Sequence, residues 1–264
     1  MNTGEIAVLG FGNLAFHLVR ALNAIPGLHV TVYVRDKSKH KKWIEQLPEL
    51  IFVDQIEQLP VSAKYCFCAV SDDQIKKVCS ELPEPFLKST TLLHCSGVLP
   101  ANLLSELTNN RGLFYPLNSF TKDHAFSWES VPVFIDSPDA KVRKELWDLA
   151  LQLGGRPVKN KDSDRAVLHL AAVMVNNFTN HLFSKADDVL TQHHIPFDYL
   201  LPLIKTTVAK LDHLKPKNAQ TGPALRGDEK TISKHLQLID DPALRELYLQ
   251  LSKSINSEIL IKSS

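Results

Sequence analysis

The stretch "IAVLGFGNLAFHLVRAL", residues 6–22, decides the fold. An apolar, β-rich run leads into Gly10-x-Gly12, and an amphipathic run containing Ala15 follows, so the pattern predicts a strand, a tight turn and a helix. In that setting the first glycine permits the turn, the second lets a pyrophosphate approach the backbone, and Ala15 lets the helix pack closely on the strand. The pattern favours a dinucleotide site at the helix N-terminus over a plain structural turn.

Composition limits the class of protein. The chain has 264 residues, and this length favours two domains over one. Of these residues 44% are hydrophobic and 22% charged, which is ordinary for a globular protein. A formal net charge of +1 gives no reason to expect nucleic acid or an anionic membrane as a partner. The N-terminus has no signal-peptide pattern, and no run reaches the roughly 20 apolar residues that span a bilayer. We therefore expect a cytoplasmic protein with a small-molecule substrate.

Cysteine spacing argues against a metal site. Cys66, Cys68, Cys79 and Cys95 lie in or near predicted strands and a helix, with CxC spacing and no second pair. Buried, reduced thiols are favoured over a disulfide or a zinc site, and we predict no metal.

Strand-like and helix-like runs alternate through the first half of the chain. Strands are expected at "IAVLG", "HVTVYVR", "IFVD", "AKYCFCAV", "TTLLHCSG", "GLFYPL" and "VPVFID", with helices between them, including "PANLLSEL" begun by Pro100. This spacing predicts an α/β fold, a Rossmann-type doubly wound and mostly parallel sheet with helices on both faces.

After about Asn160 the pattern becomes entirely helical, over residues 163–193, 196–214, 230–239 and 242–259. The polar segment "KNKDSD" is the best boundary, which gives a dinucleotide-binding domain at 1–159 and an all-α substrate and dimerisation domain at 160–264. Long apolar helices such as "HIPFDYLLPLIKTTVAKL" predict a homodimer through the second domain.

Residues at the end of the second strand favour NADP over NAD. An NAD site usually has Asp or Glu there, whereas this chain has Arg35 followed by Ser38 and Lys39, and a guanidinium suits a 2′-phosphate. Asp36 keeps NAD open, because a small shift in register would return a carboxylate to the ribose.

Ligands of open α/β sheets bind outside the carboxyl ends of the strands, where polar residues of this chain recur. Loop side chains there also bond their own backbone, so a structural role remains open for each. The candidates at these strand ends are Val70, Ser71, Ser96, Gly97 and Asn118.

The second half adds polar candidates. On a regular helix, at about 100° per residue, Asn176 and Asn180 fall on the side of His169, with Asn177 alongside. Arg226 precedes Asp228, which is placed to cap the next helix, and a guanidinium there suits a carboxylate or phosphate. Alternatively, the histidine and the asparagines bond neighbouring helices or face solvent, and the segment with Arg226 and Asp228 is a plain loop and helix cap.

Together these stretches resemble the Rossmann-type oxidoreductases related to β-hydroxyacid dehydrogenases, pyrroline-carboxylate reductases and ketopantoate reductases. The chain looks most like a bacterial branch whose C-terminal half is a domain of unknown function. The likeness is carried by "GFGNLA", "HCSG", "LHLAAVMVNN" and "TGPALRGDEKTISKHL" and covers nearly the whole chain. It implies a helical domain like the C-terminal part of 6-phosphogluconate dehydrogenase.

The resemblance also implies hydride transfer between NADP(H) and a small carbonyl, imine or alcohol in a cleft between the domains. Better-known relatives use a lysine on the first long C-terminal helix and an asparagine farther along. Here His169 stands in that region, so it would be the proton donor, with Asn177 as the second catalytic residue. The branch often has His-Pro where this chain has Tyr115-Pro116, which puts a role for position 115 in doubt.

The leading hypothesis is an NADP(H)-dependent reductase of a 2-keto acid such as ketopantoate, or of a related imine or hydroxy acid. A non-catalytic NADP(H) sensor and a structural relic of the fold are the alternatives. Substrate binding is assigned to Ser96, Gly97, Asn118, Asn176 and Arg226. Cofactor binding is assigned to Gly10, Phe11, Gly12, Asn13, Leu14, Arg35, Ser38, Lys39, Val70 and Ser71.

Overall fold

The structure is a computed structural model and describes residues 4–261. Residues 1–3 and 262–264, at the ends of the two predicted domains, lie outside the described residues. Within residues 4–261, eight strands form one sheet. The strands are β1 (Gly4–Leu9), β2 (Leu28–Tyr33), β3 (Ile51–Val53), β4 (Ala63–Cys68), β5 (Thr91–His94), β6 (Arg111–Pro116), β7 (Pro132–Asp136) and β8 (Arg156–Lys159).

The strand order is β3-β2-β1-β4-β5-β6-β7-β8. All neighbouring pairs are parallel except β6 and β7. The chain runs outward from β1 to β3 on one side and then returns to start β4 on the other side of β1. The mostly parallel, doubly wound sheet is therefore confirmed, and its order reverses between β1 and β4, where such sheets place ligands.

The central strands are apolar on both faces because helices cover both sides of the sheet. In β1, Ala7 and Leu9 face one core cluster, whereas Ile6 and Val8 face the other. The helices of this part are α1 (Asn13–Asn23), α2 (Lys41–Ile44), α3 (Ile75–Ser80), α4 (Glu84–Ser89) and α5 (Ala140–Gln152).

The helix predicted from Pro100 is wrong. Residues 101–107 form successive turns, with the N–H of Leu103 bonded to the carbonyl of Pro100 and that of Ser105 to Asn102. Asp162 accepts the backbone N–H of Ala101 at 3.1 and 3.2 Å, so contacts from far along the chain fix where the segment begins. Leu104 is buried in the core, which lets a series of turns fill the place of a helix.

The remaining helices are α6 (Asp162–Ala172), α7 (Thr179–Gln192), α8 (Leu201–Ala209), α9 (Pro216–Ala219), α10 (Glu229–Gln237) and α11 (Pro242–Ile255). A π-helix, Val173–Phe178, joins α6 to α7. Its i→i+5 turns are wider than those of an α-helix, so the regular rotation that aligned His169, Asn176 and Asn180 on one side does not hold here.

Two compact units divide the chain, one ending at Val173 and the other beginning at Met174. The polar segment "KNKDSD" thus joins β8 to α6 inside the first unit, because α6 is bonded to the loop after β5 through Arg165. The domain bounds 1–159 and 160–264 stay a prediction.

The four cysteines are buried and free, as predicted. Cys68 and Cys79 place their sulfur atoms 3.2 Å apart in the core. In the part of the chain that the structure describes, no helix has both the length and the apolar character needed to cross a membrane.

Candidate active site

A cleft of about 360 Å³ lies where the strand order reverses, outside the carboxyl ends of β1, β2 and β4. Seven of the ten residues assigned to a cofactor line it, and Asn13, Leu14 and Ser38 do not. Its lining consists of Gly10, Phe11, Gly12, Tyr33, Val34, Arg35, Asp36, Lys39, His40, Ala69, Val70, Ser71, Gln74 and Val78.

The two glycines of the turn are required for different reasons. Gly10 has φ +91°, and a Cβ there would lie 2.7 Å from Cγ1 of Val70, so the chain itself demands glycine. Gly12 has φ −74°, which any residue adopts, and a Cβ there would meet nothing closer than the carbonyl of Ala69 at 4.0 Å. Because Gly12 has no side chain, its backbone is open to the cleft that it lines.

The start of α1 suits an anion. Gly12 is its N-cap and supplies no side-chain hydrogen bond, and no acidic residue stands in the first turn. Asn13 and Leu14 contribute backbone N–H groups whose partial positive charge, added along the helix, attracts a phosphate.

Arg35 is the first of two cations, with Lys39, that line the cleft beyond β2. Its Nη2 donates to Oε1 of Gln74 at 3.2 Å, and Nε2 of Gln74 donates to Asp73 at 2.7 Å. These contacts link the guanidinium, which follows β2, to Gln74, which follows β4. Gln74 was missed in the sequence because its partner lies 39 residues away.

Asp36 is engaged by its own turn. Its Oδ1 accepts the backbone N–H of Ser38 at 3.0 Å and the Ser38 hydroxyl at 2.5 Å. These two bonds lower the pKa of Asp36, and Lys39 lies 3.8 Å from its other oxygen. The Asp36 carboxylate, which left NAD as an alternative cofactor, therefore caps a turn, and the Ser38 hydroxyl points to that carboxylate.

The same sheet edge carries a second group of polar residues. Ser71 lines the cleft, and Oδ2 of the next residue, Asp72, accepts the hydroxyl of Ser96 at 2.8 Å. Ser96 is 3% exposed, and its oxygen accepts the N–H groups of Val98 and Leu99. Its hydroxyl thus has a structural role in the loop that follows β5.

Gly97 lies against a tyrosine–histidine pair. The hydroxyl of Tyr115 is 3.1 Å from Nδ1 of His169, and both side chains are half-buried. A Cβ on Gly97 would lie 2.5 Å from that nitrogen and 2.8 Å from the hydroxyl. Only glycine at this position leaves room for the pair.

Arg165 anchors the start of α6, one helical turn before His169. Its side chain is 1% exposed and donates to the carbonyls of Gly97 and Leu99, to Asn160 and to Asp162. Four acceptors satisfy a buried guanidinium, which cannot lose its charge. Neither the role of Arg165 nor the contact of Tyr115 was predicted, because no local sequence pattern marks either one.

Two buried groups of this region hold a single protonation state at neutral pH. Burial raises the pKa of Tyr115, so its hydroxyl remains protonated at neutral pH. Burial, together with the nearby Arg165, lowers the pKa of His94 to about 4, so that imidazole is neutral. His169 is the half-exposed histidine of this group, and its Nδ1 is bonded to the Tyr115 hydroxyl.

The other assigned residues are exposed. Asn118 follows β6 in the first unit and accepts the N–H of Ser119 at 2.7 Å. In the second unit, Asn176 donates to Asn177 at 3.4 Å within the π-helix. Arg226 stands before Asp228, which caps α10 by accepting the N–H of Thr231 at 3.1 Å, and that cap was predicted.

Comparison with known proteins finds relatives over the full length. Residues 131–255 match a domain of unknown function (DUF2520). The "putative NADP oxidoreductase" of Bacteroides fragilis is 32% identical, with a TM-score of 0.87, and the match covers 97% of this chain and 99% of that one. Curated proteins give no match.

Two reductases share the fold at low identity. The pyrroline carboxylate reductase of Plasmodium falciparum, solved with NADP bound, is 14% identical with a TM-score of 0.61, covering 97% of this chain and 99% of that one. The imine reductase of Streptomyces aurantiacus is 15% identical with a TM-score of 0.65, covering 98% and 96%.

The sheet order, the cleft at its reversal and the helical second half define a Rossmann-type protein with a helical C-terminal region. At the level of the family, the chain belongs with the Bacteroides fragilis protein, and its C-terminal half carries the DUF2520 match. The resemblance seen in the sequence is confirmed.

Proposed function

We propose that the protein is an NADP(H)-dependent oxidoreductase that transfers a hydride to or from a small carbonyl, imine or hydroxy-acid substrate. One observation carries this proposal: contacts run along a single sheet edge from the cleft, through Asp72 and Ser96, to Gly97 and the Tyr115–His169 pair. The NADP in the name of the Bacteroides fragilis relative supports the choice of cofactor.

The cleft fits a dinucleotide phosphate. The open side of Gly12 and the uncapped start of α1, with the N–H groups of Asn13 and Leu14, would hold the pyrophosphate. Arg35 would meet the 2′-phosphate, assisted by Lys39, because Asp36 is already engaged by Ser38. The bound nicotinamide supplies the hydride chemistry.

His169 would move the proton. In its neutral form Nδ1 accepts from the Tyr115 hydroxyl, which leaves Nε2 to carry the remaining ring proton. The imidazolium carries a proton on both nitrogens and donates from Nδ1 to the Tyr115 oxygen. Release of the Nε2 proton to the substrate oxygen or nitrogen leaves the other neutral tautomer, whose remaining proton stays on Nδ1 in that hydrogen bond. Because its hydroxyl can donate or accept, Tyr115 holds the orientation of the ring in each protonation state.

Substrate contacts remain predictions. Gly97 lets Tyr115 and His169 pack directly against its backbone, and Ser96 would act through the shape of its loop, since its hydroxyl is bonded to Asp72. Asn118, Asn176 and Arg226 are exposed and available to a polar substrate, and Asn177 remains the second catalytic candidate. A 2-keto acid is the first substrate class to test, with Arg226 as the partner of its carboxylate.

The experiment measures NADPH oxidation by the pure protein against a panel of 2-keto acids and cyclic imines. We expect turnover of at least one compound, and in H169N a fall in kcat of roughly 10² to 10⁴, because the general acid is removed. H181N, which changes an exposed histidine of α7, is the matched control and should retain the wild-type rate. NADPH binding without turnover of any compound would refute catalysis and support the sensor.

A further inference from the structure

The loop between β6 and β7 sends a lysine to the glycine turn. Lys122 Nζ donates to the carbonyl of Phe11 at 2.6 Å, across 111 positions of sequence. The ammonium also lies 4.4 Å from the centre of the Phe11 ring. Since the side chain is only partly exposed, this contact is held in place rather than being a passing surface contact.

The residues on either side of Lys122 are also held. Nε2 of His17, on α1, donates to the carbonyl of Thr121 at 2.9 Å. Oδ1 of Asp123 lies 3.3 Å from Nζ of Lys42. Residues 121, 122 and 123 therefore contact α1, the glycine turn and α2, respectively. These contacts set the position of Lys122.

The bond to Phe11 determines where the next N–H points. The carbonyl of Phe11 and the N–H of Gly12 belong to one peptide group, and the described residues contain no cis peptide bond. In a planar trans peptide these two groups point in opposite directions. Gly12 lines the cleft and Lys122 does not, so a carbonyl held on the lysine side turns the N–H toward the cleft.

The N–H of Gly12 is available to a ligand. Within residues 4–261 it has no protein acceptor. A cation bonded to the carbonyl oxygen also polarises the peptide and strengthens its N–H as a donor, because hydrogen bonds in a chain reinforce one another.

We propose that Lys122 is a positioning residue that aims and polarises the Phe11–Gly12 peptide toward a pyrophosphate bound in the cleft. This inference rests on the proposed function, because it needs a dinucleotide phosphate as the ligand. The lysine acts through the peptide and touches neither the substrate nor the reacting atoms.

The test is calorimetry of three ligands with the whole protein. NADPH and 2′-phospho-ADP-ribose contain the pyrophosphate, whereas adenosine 2′-monophosphate lacks it. In K122M, which keeps the aliphatic packing, both pyrophosphate ligands should bind about tenfold more weakly, because a charge-assisted hydrogen bond is lost. The affinity for adenosine 2′-monophosphate should not change.

Two further variants separate positioning from a general loss of structure. K88M, which removes an exposed lysine of α4, is the control and should bind all three ligands as the wild type does. K122R keeps a charged donor and should restore most of the lost affinity, which also covers the case in which K122M does not fold.

The outcomes distinguish this inference from the proposed function. Wild-type affinity of K122M for the pyrophosphate ligands, or equal weakening of all three ligands, would overturn the inference and leave the proposed function standing. If the wild type itself binds no NADPH, both fail together.

Discussion

Gly10 and Gly12 stand two residues apart, yet the physical requirement on each is different. At Gly10 the backbone has a positive φ and lies close to Val70, so any side chain would strain the folded protein even when no ligand is bound. At Gly12 the backbone is ordinary and the space is open, so a side chain would obstruct only what enters the cleft.

This difference predicts opposite results for two alanine substitutions. G10A should lower the free energy of unfolding by roughly 1 to 3 kcal/mol, because the left-handed backbone and the contact with Val70 both oppose a Cβ. G12A should unfold at the wild-type temperature but lose NADPH affinity by tenfold or more. Thermal unfolding and calorimetry on both variants check this. A folded G12A that binds NADPH normally would contradict the proposed path of the pyrophosphate.

Local chemistry made part of this site predictable from the sequence. The positive φ at Gly10 and the cap from Asp228 to Thr231 are local features of the backbone, so their sequence patterns predict them. Tyr115 and His169 lie 54 positions apart, and Lys122 lies 111 from Phe11, so no spacing rule connects either pair. Whether a residue is visible in the sequence thus follows from how local its partners are.

At the scale of the element, the start of α6 is built around Arg165. Its guanidinium binds the loop after β5, and Asp162, at the first turn, binds both Arg165 and the N–H of Ala101. Burial raises the pKa of Asp162, but bonds from Asn160, Ala101 and Arg165 together hold it below its usual value. The charged carboxylate is therefore part of the folded arrangement.

Loss of this guanidinium should cost stability in a pH-dependent way. R165M should lower the free energy of unfolding by about 3 kcal/mol at pH 7, because buried acceptors lose their donor. Since the folded state lowers the pKa of Asp162, the stability that its charged carboxylate contributes is present above about pH 4. That stability is lost as the pH falls through the pKa of Asp162 in the folded state. The difference between wild type and R165M should therefore shrink below about pH 4.

Urea unfolding at pH 7 and at pH 3.5 measures that difference. K161M, which removes an exposed lysine next to α6, is the control and should leave stability unchanged. A constant difference at both pH values would contradict the role given to the Asp162 carboxylate.

Elements were predicted well where apolar periodicity was strong and less well where distant contacts set the shape. The seven predicted strands are present, but β8 was not assigned because "RPVK" is short and only partly apolar. The segment after Pro100 has a helical pattern, yet Asp162 and the core around Leu104 hold it as turns.

On the scale of the whole molecule, the helices of the second unit leave many apolar side chains exposed. Val175 is 75% exposed, Tyr199 is 72% and Leu203 is 63%. Monomers rarely leave large apolar patches in water. This exposure supports the homodimer proposed from the sequence, with the helical residues as its interface.

The dimer proposal predicts a mass in solution of twice 29.6 kDa at micromolar concentration. L203E, on α8, should shift the protein toward the monomer, because a charge in an apolar interface is costly to bury. L151E, on the exposed face of α5, is the control and should remain dimeric. Light scattering after size exclusion decides, and a monomeric wild type would remove the proposal.

Calorimetry of NADPH and NADH with the wild type and R35Q measures whether the Arg35 guanidinium recognises the 2′-phosphate. We expect the wild type to bind NADPH at least tenfold more tightly than NADH. R35Q should lose this preference while its affinity for NADH is unchanged, because the guanidinium meets only the extra phosphate. K41Q, on the exposed start of α2, should bind as the wild type does. Equal affinities for the two cofactors in the wild type, or no heat from either, would contradict the account.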